Sequence, residues 1–292
     1  MHHSTRIDRR RLVALGTLAS MLPRIEGLAN PPAAAPLRSL PTAHAHNDYR
    51  QSRPLSAALE LGFTSIEIDV FPVQGRLLVG HDLHELRPDR DLGSMYLDPI
   101  VARCMDAPDP ARGPLPDGHR LTLLIDIKRR GEETLRLLLP LLEPLRPWLR
   151  RVDNGRMQDG AIEVILSGSR PIKHARALSD RPVFIDGRLS DLGGDLAPDL
   201  VPLISTSMNP ALGTVGLTGL DAKAQERLTV LARRTHAEGR RLRFWGHVES
   251  RPVWKALVEA EVDLIGTDLP RSLAKWLRRN DPRCGGWQGP KP

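Results

Sequence analysis

Three short polar clusters interrupt otherwise aliphatic stretches of this chain: His44-Ala45-His46-Asn47-Asp48, Glu67-Ile68-Asp69 and Asp126-Ile127-Lys128, joined by a separate His81-Asp82. In an extended strand, residues two apart point to the same side. His44 and His46, Glu67 and Asp69, and Asp126 and Lys128 are therefore expected to face one space in pairs, while Ile66, Ile68 and Val70 face the other way. Carboxylates gathered in a protein interior require a counter-charge. A divalent cation, Mg2+ or Ca2+, held by oxygens of Glu67, Asp69 and Asp126, would supply it. Imidazoles beside such an ion suit phosphodiester cleavage: one His takes the proton of the attacking hydroxyl or water, and another protonates the leaving oxygen. His44, His46 and His81 are the candidates, with Lys128 stabilising developing charge and Asn47 next to the substrate. The same residues have plainer readings, in which the Glu-x-Asp pair is a solvated strand edge and Asp126 with Lys128 is a buried ion pair.

The elements that must position these groups follow from the hydrophobic pattern. Short runs rich in Ile, Val, Leu and Phe at 41–46, 64–70, 121–127, 162–167, 182–186, 201–206, 241–246 and 262–267 read as buried parallel strands. Helix-period stretches lie between several of them, at 53–61, 132–149, 170–178, 221–238, 250–260 and 270–279. Alternation of this kind predicts a (β/α)8 TIM barrel, whose chemistry sits at the C-terminal ends of the strands, where the polar clusters fall. Leu77 to Gly80 follows the Gln74-Gly75 turn signal and reads as a hairpin leaning back on the second strand. Residues 83–120 read as a long excursion over one end of the barrel.

The ends differ from the middle. Arg9, Arg10 and Arg11 precede an apolar run from Leu12 to Leu22, and Gly27-Leu28-Ala29 follows, which predicts an export signal over residues 1–29 with a twin-arginine or an ordinary basic start. Periplasmic or secreted localisation follows from that reading. Residues 30–39 are a Pro/Ala linker, 40–280 the barrel and 281–292 an irregular tail. The formal net charge is +7. Loss of residues 1–29 would leave about +4, mild enough to favour anionic substrates without the dense Lys/Arg block of a nucleic-acid binder. Cys104 and Cys284 could pair in an oxidising compartment or remain free thiols, and two isolated cysteines do not make a thiolate zinc site.

The run AHAHNDYRQSRPLSAALELGFTSIEIDVFPVQGRLLVGHD, with LLIDIK at 123–128, RFWGH at 243–247 and VDLIGTDLP at 262–270, resembles the superfamily of glycerophosphodiester phosphodiesterases and phosphatidylinositol phospholipases C. Within it the branch of altered inheritance of mitochondria protein 6 is most similar, and sphingomyelinase D is related. The resemblance implies a TIM barrel, one divalent cation on Glu67, Asp69 and Asp126, and two acid/base histidines, one of them His81 and the other His44 or His46. It also implies a small phosphodiester or a phospholipid as substrate, the latter with transient contact to a membrane surface. The chain departs from the common pattern: His-Ala-His replaces His-Arg-Gly on the first strand, the later Glu-Asn-Thr is missing, and Asp126 replaces a Glu. Trp245 looks like the substrate-facing tryptophan of sphingomyelinase D. Two other readings remain: a zinc amidohydrolase-like barrel using the His-x-His pair with Asp268, and a non-catalytic barrel that binds phosphoesters or lipid headgroups.

Overall fold

In the computed structural model, residues 38–107, 109, 112–213 and 215–284 are described. The export-signal reading of residues 1–29 and most of the tail therefore lie outside the described residues. Eight parallel strands close on themselves: β1 (Leu40–Ala45), β2 (Phe63–Val73), β3 (Leu121–Ile127), β4 (Ile162–Gly168), β5 (Val183–Gly187), β6 (Leu203–Ser207), β7 (Arg241–Trp245) and β8 (Leu264–Thr267). Closure comes from the pairing of β1 with both β8 and β2. The expected (β/α)8 barrel is thus present, with each strand within a few residues of its predicted place. The hairpin strand Arg76–Val79 folds back antiparallel on the end of β2, pairing Val79 with Val70.

Helices α1 (Ser56–Glu60), α2 (Asp98–Met105), α3 (Gly131–Leu142), α4 (Ile172–Arg176), α5 (Met208–Leu212), α6 (Ala222–Ala237), α7 (Arg251–Glu259) and α8 (Pro270–Asn280) surround the strands. Only a short 3-10 turn, Leu189–Asp191, fills the connection from β5 to β6. Residues 83–120 are less of an excursion than expected, because α2 and the turn before it bury Tyr96, Leu97, Ile100 and Cys104 in the main core. None of the helices of the described residues is long and apolar enough to cross a membrane.

Alternation along the strands separates two interiors. Ile66, Ile68 and Val70 of β2, with Leu123, Ile125 and Ile127 of β3, point outward into the core beneath the helices. Inside the barrel, Leu124, Ile165, Phe184, Leu203 and Leu264 form a small apolar plug. Glu163 closes the floor, paired with Arg150 and Arg241. The inward positions nearer the C-terminal ends are polar, and they carry the site. Cys104 and Cys284 are both buried and free, so the disulfide alternative is not realised.

Candidate active site

Strand register brings the acidic groups together. Asp69 on β2 pairs directly with Asp126 on β3, so two carboxylates are cross-strand neighbours on the inner face. Like charges placed this way repel. Lys128 answers the repulsion, its Nζ lying 2.8 Å from Asp69 Oδ2 and 2.8 Å from Asp126 Oδ2. Tyr49 Oη donates to Asp69 Oδ2 at 2.8 Å, while Asp69 Oδ1 is buried without a partner. One oxygen each from Glu67, Asp69 and Asp126 lie within 4.8 Å of one another. Burial raises the Asp69 pKa to about 6, with Lys128 opposing and the charges of Glu67 and Asp126 adding to the rise.

One turn deeper, Glu67 is buried against Arg243 of β7, with which it forms a close ion pair. Burial favours its neutral form, yet Arg243 and His44 hold the carboxyl below the usual carboxylate range. Sequence reasoning passed over Arg243. Arg241, Arg243 and Trp245 alternate along β7, and that alternation was the available signal. Arg188, also missed, reaches the cavity from just after β5, with its Nη1 donating to Asp186 Oδ2 at 2.9 Å.

The two histidines of β1 occupy different environments. His44 is fully buried, with Nδ1 2.7 Å from Ser65 Oγ and Nε2 2.8 Å from Glu67 Oε2. Burial, reinforced by Arg243, lowers its pKa to about 4 despite Glu67. His46 sits at the cavity wall with Nδ1 2.8 Å from Asp268 Oδ1. Burial opposes its charged form, but the bond to Asp268 and the charges of Glu67 and Asp268 outweigh burial and raise its pKa. The left-handed backbone of Asn47, φ 47°, a conformation Asn tolerates, ends the strand there. Asn47 Oδ1 lies 2.9 Å from Tyr49 Oη, the hydroxyl that donates to Asp69.

A cavity of about 290 Å3 joins these groups; its wall includes His46, Asn47, Glu67, His81, Asp126, Lys128, Arg188, Arg243 and Trp245. His81 reaches it from the tip of the hairpin, half-exposed and tied to Asp82 at 2.9 Å. Of the residues singled out from sequence, His44, the buried Asp69 and Asp268 are not on that wall; Asp268 lines a smaller cavity beside it that His46, Arg243 and Trp245 share. The His-x-His pair does not converge: both His44 nitrogens are engaged by Ser65 and Glu67, while His46 turns to Asp268. Among the described residues, Glu67, Asp69 and Asp126 are the group whose ligand atoms meet.

A family model described as an AIM6-like phosphodiesterase domain matches residues 38–186. That span contains every acidic ligand candidate, all three histidines and Lys128, and it stops before Arg243, Trp245 and Asp268. The altered inheritance of mitochondria protein 6 homolog of Arthroderma benhamiae is 32% identical over 191 residues, covering 59% of this chain and 60% of its own length. Altered inheritance of mitochondria protein 6 of Eremothecium gossypii is 28% identical over 277 residues, 81% of this chain and 69% of that protein. The chain thus spans about 60% of the length of the first of these relatives. A crystal structure of glycerophosphodiester phosphodiesterase from Agrobacterium tumefaciens is 15% identical, with a TM-score of 0.46 over 81% of this chain and 99% of that one.

Proposed function

Because the chain belongs to the AIM6-like phosphodiesterase domain family, we propose that it cleaves phosphodiesters, with His46 as general base and His81 as general acid above a cation site of Glu67, Asp69 and Asp126. The observation that carries the reading is the direct register of Asp69 with Asp126, closed by Glu67. Three carboxylates within reach of one ion, one of them with an unpartnered buried oxygen, form an all-oxygen donor set that fits a hard divalent cation such as Mg2+ or Ca2+. Bound there, the ion would draw charge from a nonbridging phosphate oxygen.

The chain's own groups do the rest. Asp268 accepts the Nδ1 proton of His46, which leaves Nε2, 3.4 Å from Asn47 Nδ2, as the nitrogen that takes a proton, and steadies the imidazolium that results. As the new P–O bond forms, that proton leaves the attacking hydroxyl. His81, on the same cavity, protonates the oxygen of the P–O bond that breaks. Lys128 and Arg188 stabilise the charge that collects on the phosphoryl oxygens. His44 takes no proton in this scheme; enclosed by Ser65 and Glu67, it holds Glu67 in place.

A phospholipid headgroup substrate is supported by the rim. Leu83, Trp245 and Leu269 are among the large apolar side chains left exposed, at 55%, 46% and 55%: Trp245 ends β7, Leu269 comes just after β8, and Leu83 comes just after the hairpin strand. Exposed apolar side chains at strand ends, with Trp245 on the cavity wall itself, suit contact with a lipid surface.

The test is turnover of bis-p-nitrophenyl phosphate, glycerophosphodiesters and phospholipid vesicles by purified protein, with phosphorus NMR separating a cyclic product from a hydrolysed one. Activity is expected to vanish in EDTA, return with Mg2+ or Ca2+, and fall by about two to four orders of magnitude in His46→Ala and in His81→Ala. Turnover indifferent to EDTA, or a loss under tenfold in both variants, would remove the reading. Binding without turnover would favour the headgroup-binding barrel instead.

A further inference from the structure

Asp268 is an unlikely anchor for a general base when viewed alone. Its side chain is 57% exposed, and an exposed carboxylate has many rotamers open to it. What fixes it is the backbone it hangs from. Glu249, in the loop between β7 and α7, reaches across to the end of β8. There its Oε1 accepts the backbone N–H of Asp268 at 2.7 Å, and its Oε2 accepts the buried Thr267 hydroxyl in a close contact. Thr267 Oγ1 in turn accepts the N–H of Leu269 at 2.8 Å. On the far side, Gln51 Nε2 donates to Asp268 O at 3.2 Å, and Thr267 O accepts the His46 N–H at 3.1 Å. The residues before and after the Asp268 side chain are thus tied to Glu249 directly or through Thr267.

We propose that Glu249 is a positioning residue for the reaction: its carboxylate clamps the end of β8 so that Asp268 meets His46 Nδ1. The clamp rests on the assignment of His46 as general base. Among the described residues Glu249 is the side chain that accepts both the Asp268 N–H and the Thr267 hydroxyl proton, so its loss frees both at once. The groups that act on the His46 ring come from several elements: Asp268 after β8, Glu67 of β2, Arg243 of β7 and His44 of β1, with His247 beside the same small side cavity. The hydrogen bonds of Glu249 go to the Asp268 N–H and the Thr267 hydroxyl, the two groups that set where Asp268 stands, while its charge also acts on His247.

The experiment compares Glu249→Ala, Glu249→Gln and Asp268→Asn by steady-state kinetics across pH and by NMR titration of histidine-labelled protein. Displacing a catalytic partner by about 1 Å costs on the order of a hundredfold. Glu249→Ala should therefore lower kcat by about ten- to a hundredfold, with KM within about threefold. It should also move the acidic limb of kcat and the His46 titration to lower pH, in the same direction as Asp268→Asn. Glu249→Gln keeps the size and one acceptor, and it should fall between wild type and Glu249→Ala. If Glu249→Ala fails to fold, Glu249→Gln decides by the same two readouts. Glu249 variants that leave both readouts at wild-type values while Asp268→Asn moves them would overturn the clamp and spare the His46 assignment. An Asp268→Asn variant with unchanged kcat and unchanged acidic limb would instead sink the assignment itself.

Discussion

Glu67 and Asp126 offer oxygens to the same point but are embedded differently. Glu67 lies deep, shared between Arg243 and His44, and Arg243 Nε already lacks a partner. Taking the carboxylate away strands a buried guanidinium, a loss worth about 3–5 kcal/mol in comparable pairs. Asp126 sits at the cavity lip, its side chain 19% exposed and paired, among the described residues, with the adaptable Lys128. Glu67→Gln is therefore expected to lower both urea stability and turnover, whereas Asp126→Asn should abolish turnover with stability changed by about 1 kcal/mol or less. Equal stability losses in the two, read from urea midpoints, would contradict this difference. At this scale the sequence was informative wherever spacing by two met an aliphatic background, as in Glu67-Ile68-Asp69. It was silent on depth: nothing in His-Ala-His says that the first imidazole is walled in and the second is not, because that depends on Ser65 and Asp268. Glu249 carries no signal of its own, being a loop acid whose two contacts are set by how far α7 begins from β8.

Among the elements, β4 shows how closely the site constrains its frame. Gly168 ends the strand at φ 66°, and a Cβ there would stand 2.1 Å from Asp126 Oδ1 and 2.3 Å from Ile127 O. Both the left-handed backbone and the missing side chain are needed for Asp126 to hold its place. Gly168→Ala is expected to cost about 1–3 kcal/mol in strain and to lower turnover further than its stability loss explains, since one collision is with a carboxylate oxygen of the proposed cation site. A variant as active as wild type would show that Asp126 does not act from this position. The eight strands were legible because parallel barrel staves are short, aliphatic and evenly interrupted by turns. Helix α2 was hidden by the polar residues around it, though Asp98-Pro99 is an ordinary helix start. The small sheet of Arg151–Asp153, Arg156–Gln158 and Asp180–Arg181 left no pattern to read, its strands being two or three residues long and mostly charged.

For the whole molecule, the acidic centre has a consequence that does not require substrate. Lys128 bridges Asp69 and Asp126, yet Asp69 Oδ1 remains without a partner at 0% exposure. An ion that binds the native arrangement and finds no such arrangement in the unfolded chain stabilises the fold by mass action, by about 2.7 kcal/mol at a hundred times its dissociation constant. For a domain of this size each kcal/mol raises the melting temperature by about 2–4 °C. Millimolar Mg2+ or Ca2+ should thus raise the melting temperature by roughly 5–11 °C over the EDTA-treated protein if binding is that strong. Asp126→Asn should lose most of the gain, while a substitution of the exposed Lys255, far along α7, should keep it. Calorimetry in EDTA and in each cation separates the cases: identical melting in all three, or an undiminished shift in Asp126→Asn, would mean that these carboxylates do not hold an ion and that Lys128 is their permanent counter-charge.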